Sequence, residues 1–199
     1  VERARELIRR FLVPVTVSER VHVRQALGRV LAEDVVSRIN VPGHDNSAMD
    51  GFALRVEDLR GDGETYLTLV GEQFAGPTLG LSVGPGQCAR VTTGAALPAG
   101  ANAVVMKENV DLDGDRLIVR KPVPVGTHIR RAGEDVRAGE TVLTAGQVLS
   151  PAALSLAAAI GQHDLPVHRR PTVAIFTTGD ELKPPGMTLA PGEIYDSNR

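Results

Sequence analysis

Between Val41 and Ala53 the chain sets two carboxylates (Asp45, Asp50), an amide (Asn46) and a hydroxyl (Ser47) in a stretch with little to bury. A Pro42-Gly43 pair opens this loop, and Gly51 near its end lets backbone approach a ligand closely. Hard oxygen donors of this kind suit a magnesium ion or a phosphorylated substrate. Four further segments carry chemistry-bearing side chains. At Arg90-Val91-Thr92-Thr93-Gly94 a strand ends in two hydroxyls and a glycine, which donate to an anion or simply terminate the strand. Arg130-Arg131 precede Glu134-Asp135 across Gly133, a pattern that a solvated turn with a surface ion pair also explains. Phe176-Thr177-Thr178-Gly179-Asp180-Glu181-Leu182 sets Asp180 and Glu181 just past an apolar run, where parallel α/β sheets bind ligands. Asp196-Ser197-Asn198 offers N-cap residues for a following helix, a position suited to anions and equally to an ordinary cap.

Several function classes lose support. The five histidines show no i,i+4 pair or other metal-ligand spacing, and no G-x-S-x-G elbow or P-loop is present. Cys88 is the only cysteine, which excludes an internal disulfide and a cysteine-based zinc cluster. A net charge of -2 with no Trp leaves neither a basic stripe nor a stacking platform for nucleic acid. No run approaches the roughly 18 apolar residues of a membrane helix. Val1-Glu2-Arg3-Ala4-Arg5-Glu6 has alternating charge and no secretory apolar stretch, so a cytoplasmic location is expected.

The elements that must position these residues follow from periodicity and punctuation. Val1, Ala4, Leu7, Ile8, Phe11 and Leu12 share one helical face, so an amphipathic helix is predicted up to about Leu12, with Pro14 stopping it and the apolar stripe docking elsewhere. A helical turn around Arg24 to Gly28 leads to a strand near Asp34 to Arg38. From Gly61 to Gly146 short β-like runs, among them Tyr66 to Val70, Gln87 to Val91 and Ala103 to Met106, are separated by Gly and Pro, which predicts a mostly β module. Asp113-Gly114 between two such runs predicts a tight hairpin. Ser150, Pro151 and Gly161 frame a helix over 151–160, and a short strand is expected at Asp164 to His168. Thr172-Val173-Ala174-Ile175-Phe176 reads as a strand buried on both faces of a parallel sheet, the first of an α/β domain. With 199 residues the chain has room for at least two cores, and from the single α/β strand it is expected to be the amino-terminal part of a longer protein.

Pro42 to Ala53, Thr92-Thr93-Gly94-Ala95, Ala103 to Glu108, Arg130 to Asp135 and Thr178 to Leu182, in that order along nearly the whole chain, resemble the molybdopterin molybdenumtransferase family, represented by MoeA and the gephyrin E domain. The resemblance implies an enzyme of molybdenum cofactor synthesis that takes molybdate and adenylylated molybdopterin, releases AMP and uses a divalent cation such as Mg2+. It implies an elongated homodimer, with the molybdopterin adenylyltransferase as a further partner. The implied fold is multidomain α+β: an elongated helix/strand dimerisation domain (1–38 and 137–168), an inserted β-rich domain (39–136) and the beginning of an α/β molybdopterin-binding domain (169–199). It assigns catalytic roles to Asp50, Asp135 and Glu181, substrate binding to Thr93, Arg130, Arg131, Ser47, Asp180 and Ser197, and metal ligation to Asp50 and Glu181. Carboxylates repel molybdate and phosphoanhydrides, so metal ligation or water orientation suits the acids, and the arginines suit the anions. Phe52 stands where many relatives carry Tyr, so no hydroxyl acts there, and this chain alone should not catalyse. Two other readings stay open: a scaffold protein on the same fold, and a nucleotide pyrophosphatase sharing only the α/β domain.

Overall fold

The computed structural model describes residues 1–198. In chain order the helices are α1 (Glu2–Phe11) and α2 (Pro151–Ala159). The strands are β1 (Ser18–His22), β2 (Val35–Val36), β3 (Asn46–Ser47), β4 (Gly51–Leu54), β5 (Thr65–Gln73), β6 (Gln87–Val91), β7 (Ala103–Met106), β8 (Val110–Asp113), β9 (Arg116–Val119), β10 (Ile129–Arg130), β11 (Thr141–Leu143), β12 (Asp164–His168), β13 (Leu182–Lys183) and β14 (Ile194–Tyr195). Contacts divide the chain into a unit spanning Arg20–Val167 and a second made of Val1–Glu19 with His168–Arg199.

The larger unit is organised by a six-stranded mixed sheet in the order β7-β4-β6-β5-β9-β8, antiparallel throughout except for the β5/β6 pair. All four residues of β4 are buried because this strand has neighbours on both edges and apolar layers on both faces. Phe52 and Leu54 join Leu67, Cys88, Val105 and Leu117 on one face, while Ala53 joins Val91, Ala95 and Val104 on the other. That split is the period-two alternation of a strand. Gly51 starts β4 because nothing larger fits: a Cβ there would lie 1.9 Å from the Val105 carbonyl oxygen. The predicted hairpin joins β8 to β9, with Asp113 opposite Arg116, so its two-residue loop is Gly114-Asp115 rather than Asp113-Gly114. Only Gly114 takes a positive φ there, as in turns with glycine at the first loop position.

A second core in the same unit forms around α2. The Ser150 hydroxyl accepts the Ala153 N–H at 3.2 Å, Pro151 takes the first turn, and Gly161 leaves the helix at φ +79. Ala153, Ala157 and Ile160 pack with Ala26, Leu31, Leu149, Leu165 and Val167, and each fully buried leucine contributes about 1.5–3 kcal/mol. The short β2/β11 and β1/β12 pairs and a single-turn 3₁₀ helix at Val23–Gln25 complete this layer.

In the smaller unit α1 matches its predicted length. Glu2 lies in its first turn and Arg9 and Arg10 in its last, in the sense the helix dipole favours. None of its residues is buried, so the apolar stripe of Leu7, Ile8 and Phe11 is open. The segment expected as a buried strand, Thr172 to Phe176, is irregular instead, and Val173, Ile175 and Phe176 are exposed. A parallel strand needs a neighbour for its ladder, and no described strand pairs with this segment. The ordered part here is the short parallel pair β13/β14, tied by a 3.1 Å Lys183–Glu193 ion pair.

Candidate functional site

Asp50 sits immediately before β4, and Thr93 lies in the turn after the adjacent strand β6. Register brings them together: Gly51 pairs with Val91. The Asp50 Oδ1 atom accepts the Thr93 N–H at 2.9 Å and the Thr93 hydroxyl at 3.0 Å. Lys107 follows β7 on the other edge of β4, and its Nζ stands 3.5 Å from Asp50 Oδ2. The two Thr93 hydrogen bonds, with a smaller contribution from Lys107, hold the Asp50 carboxyl below the usual 3.8.

The loop carrying Asp50 is tied to the arginine segment by β3/β10, with Ser47 opposite Ile129 and Asn46 opposite Arg130. A bridge between Val41 and Val136 closes the other end. Between these ties, Arg131 donates to Asp45 Oδ2 at 2.5 Å and the Ala132 N–H to Asp45 Oδ1 at 2.9 Å. The backbone bond and the Arg131 guanidinium, in that order, lower the Asp45 carboxyl. Arg130 pairs with Asp135 at 2.5 Å and more loosely with Glu134 at 3.5 Å, which raises its own pKa. Glu134 also accepts the Arg131 N–H at 2.9 Å, fixing the turn that follows the two arginines. The Thr93 turn joins through the Gly94 N–H, which donates to the Ser47 carbonyl at 2.8 Å, and the Leu97 N–H, which donates to that of Asp45 at 3.0 Å.

Three of the segments singled out in the sequence therefore meet on one rim of the larger unit. Asp45, expected as one of the loop's oxygen donors, is instead taken up by Arg131 and the Ala132 N–H, and Lys107 belongs to this rim although the sequence gave it no role; the usable signal for Lys107 is a cation directly after a strand that pairs with the Asp50 strand. Ser47 is placed differently from the expectation. It is buried, its hydroxyl donates to the Met49 carbonyl at 2.6 Å and accepts the Met49 N–H, so that group is committed to shaping the loop.

Asp180, Glu181 and Ser197 lie in the other unit and are exposed. A Cβ on Gly179 would meet the Glu181 carboxylate at 2.5 Å, so this acid folds back over the Thr178-Gly179 turn. Thr177 donates to the buried Asp196 at 2.5 Å, and Asp196 also accepts the Asn198 N–H at 3.2 Å in an Asx turn. The helix expected after Asn198 lies outside the described residues. The two Thr-Thr-Gly segments thus both bond an aspartate, through the second threonine in one and the first in the other.

Among the described residues no three His, Cys, Asp or Glu side chains are grouped to hold a metal. Asp50 still suits the manner in which Mg2+ takes one or two carboxylates alongside substrate phosphates, since it is an ionised, half-exposed oxygen donor.

The model of the MoeA N-terminal region, domains I and II, matches residues 1–161. This chain belongs to the MoeA family. Among curated MoeA-family relatives, molybdopterin molybdenumtransferase 2 of Mycobacterium tuberculosis is 45% identical over 188 residues, 93% of this chain and 45% of its own length. The molybdopterin molybdenumtransferase of Haemophilus influenzae is 40% identical over 92% of this chain and 45% of its own length. A crystal structure of the molybdopterin biosynthesis MoeA protein of Pyrococcus horikoshii superposes with a TM-score of 0.91 at 37% identity, covering 99% of this chain and 53% of the other. The chain spans about half the length of the relatives it matches, and it has the MoeA-like fold with a mixed sheet and few helices.

Proposed function

We propose that this chain builds one wall of the active site of a molybdopterin molybdenumtransferase, which inserts molybdate into adenylylated molybdopterin with release of AMP. The observation that carries the reading is the meeting of the Asp50–Thr93 pair with the Arg130–Asp135 and Arg131–Asp45 pairs on one rim of a MoeA-family chain. Arg130 and Arg131 bind the anionic groups, because each guanidinium has donors beyond those its carboxylate takes. Asp135 and Asp45 aim the two forks. Thr93 gives its hydroxyl proton to Asp50, so its free lone pairs suit a water or another donor better than a bare oxyanion. A carboxylate held below its usual range is a weak base at neutral pH, so Asp50 orients groups and supplies charge rather than taking protons.

The proposal extends to a divalent cation. Asp45, Asp50, Glu134 and Asp135 outnumber Lys107, Arg130 and Arg131 on the rim, so a polyanionic substrate needs more positive charge than these residues supply. Asp50 of one subunit would hold Mg2+, with Glu181 from the second subunit of the dimer as the further ligand the family resemblance implies, and the cation would neutralise charge on the phosphoanhydride. Asp180 and Ser197 join the substrate contacts. The homodimer, the cytoplasmic setting, the adenylyltransferase partner and the division into helix/strand (1–38, 137–168), β-rich (39–136) and incipient α/β (169–199) domains belong to the same reading.

The test uses the protein at the length of its relatives, incubated with molybdate and adenylylated molybdopterin. Magnesium-dependent AMP release matched to molybdenum incorporation is expected. A protein that folds and captures a partner peptide without any turnover would instead be the scaffold, and the catalytic reading would fall.

A further inference from the structure

The β5/β6 pair is the one parallel pair in the sheet, so the carboxyl ends of both strands emerge on the same edge. Gln73 stands opposite Val91 in that register, which sets Phe74-Ala75 level with Thr92-Thr93. The Ala75 N–H donates to the Thr92 hydroxyl at 3.1 Å, and a Cβ on Gly94 would touch the Ala75 methyl at 3.7 Å. The segment after β5 is therefore attached to the turn that carries Thr93, the partner of Asp50.

This segment is held from beneath by a buried amide. Gln73 is 2% exposed, donates through Nε2 to the Phe74 carbonyl at 2.8 Å and the Pro77 carbonyl at 3.2 Å, and accepts the Leu79 N–H at 2.8 Å. Three such bonds to one loop fix its path, because a buried amide left without partners is costly. On the outside of the loop so fixed, Phe74 keeps half its surface in solvent. An aromatic side chain this open, on a backbone this constrained, in the segment attached to the turn that carries Thr93, has the makings of a contact for a flat ring.

We propose that Phe74 is a substrate-contacting residue that stacks on the planar heteroaromatic ring of the substrate, with Gln73 as the positioning residue that holds it beside the Asp50–Thr93 pair. This rests on the transferase reading above. The ring is either the pterin or the adenine of adenylylated molybdopterin, both flat and both joined to phosphate.

Phe74→Ala and Phe74→Trp are made in the protein at the length of its relatives, and KM for adenylylated molybdopterin, kcat and the inhibition constant of AMP are measured. Phe74→Ala should raise KM about ten-fold with kcat nearly unchanged, the order of effect expected from losing one stacked ring, and Phe74→Trp should restore it. A parallel rise in the AMP inhibition constant assigns the ring as adenine; an unchanged constant assigns it as pterin. Gln73→Leu should raise KM in the parent and add nothing in the Phe74→Ala background. An unaltered KM in Phe74→Ala overturns the inference while leaving the transferase reading standing, whereas a parent protein without turnover overturns the transferase reading itself.

Discussion

Asp50 is the residue on which most of the rim depends, since its Oδ1 accepts both Thr93 donors while Oδ2 faces Lys107. Asp50→Ala should lower turnover of the full-length protein by at least about a hundred-fold, in the range seen when a charged active-site group is lost, with a modest fall in melting temperature, because the acceptor of both Thr93 donors goes while the Lys107 ion pair is exposed. Full activity in that variant would sink the assignment. Asp45 and Asp50 both titrate below 3.8 in the folded chain. Their contribution to stability is therefore complete above 3.8 and disappears as pH falls through the lower folded values. Melting temperatures should be insensitive to these groups between pH 5 and 8 and drop on the acid side of about 4, with a shallower acid limb in Asp45→Asn. Cys88 makes the opposite case. Burial alone pushes its thiol up to about 12, so a disulfide reagent at pH 8 should label it only at the rate of unfolding.

Elements whose ends are marked by local chemistry were the legible ones. Ser150, Pro151 and Gly161 bound α2 within a residue, and Gly and Pro delimit β6, β7 and β12 because each strand's partner lies in the same chain. β2 falls inside the strand expected near Asp34 to Arg38, but its pairing with β11, and both strands of β3/β10, were not legible, since two-residue strands leave little periodicity and their partners stand far away in sequence. Thr172 to Phe176 shows the reverse failure: an apolar run states that burial is wanted but not what supplies it. Two substitutions test the element scale. Gly51→Ala places a Cβ 1.9 Å from the Val105 carbonyl oxygen, which forces β4 away from β7, so a loss of about 3 kcal/mol or more is expected in denaturant titration. Ser150→Ala removes one cap bond and should cost about 1 kcal/mol in the same measurement.

At the scale of the whole chain, the unit from Arg20 to Val167 has its own cores, while residues 169–181 are irregular and largely exposed. Brief trypsin treatment should cut first after Arg169, since Pro171 blocks cleavage after Arg170, and leave a fragment ending at Arg169 that resists further digestion, as mass spectrometry would show. The site was only half readable at this scale. Residue types announced Asp50, Thr93 and the arginine pair, but which acid would hold which cation depends on crossings between strands dozens of residues apart. The loop bearing Asp50 is clamped at both ends, by Val41 on Val136 and by Gly51 on Met106, and again at its middle by Ser47 on Ile129. A segment fastened at three points behaves as an anvil rather than a jaw: whatever closes on a bound molecule here must do the travelling, and the amides of this loop should be among the slowest in the protein to exchange with deuterium.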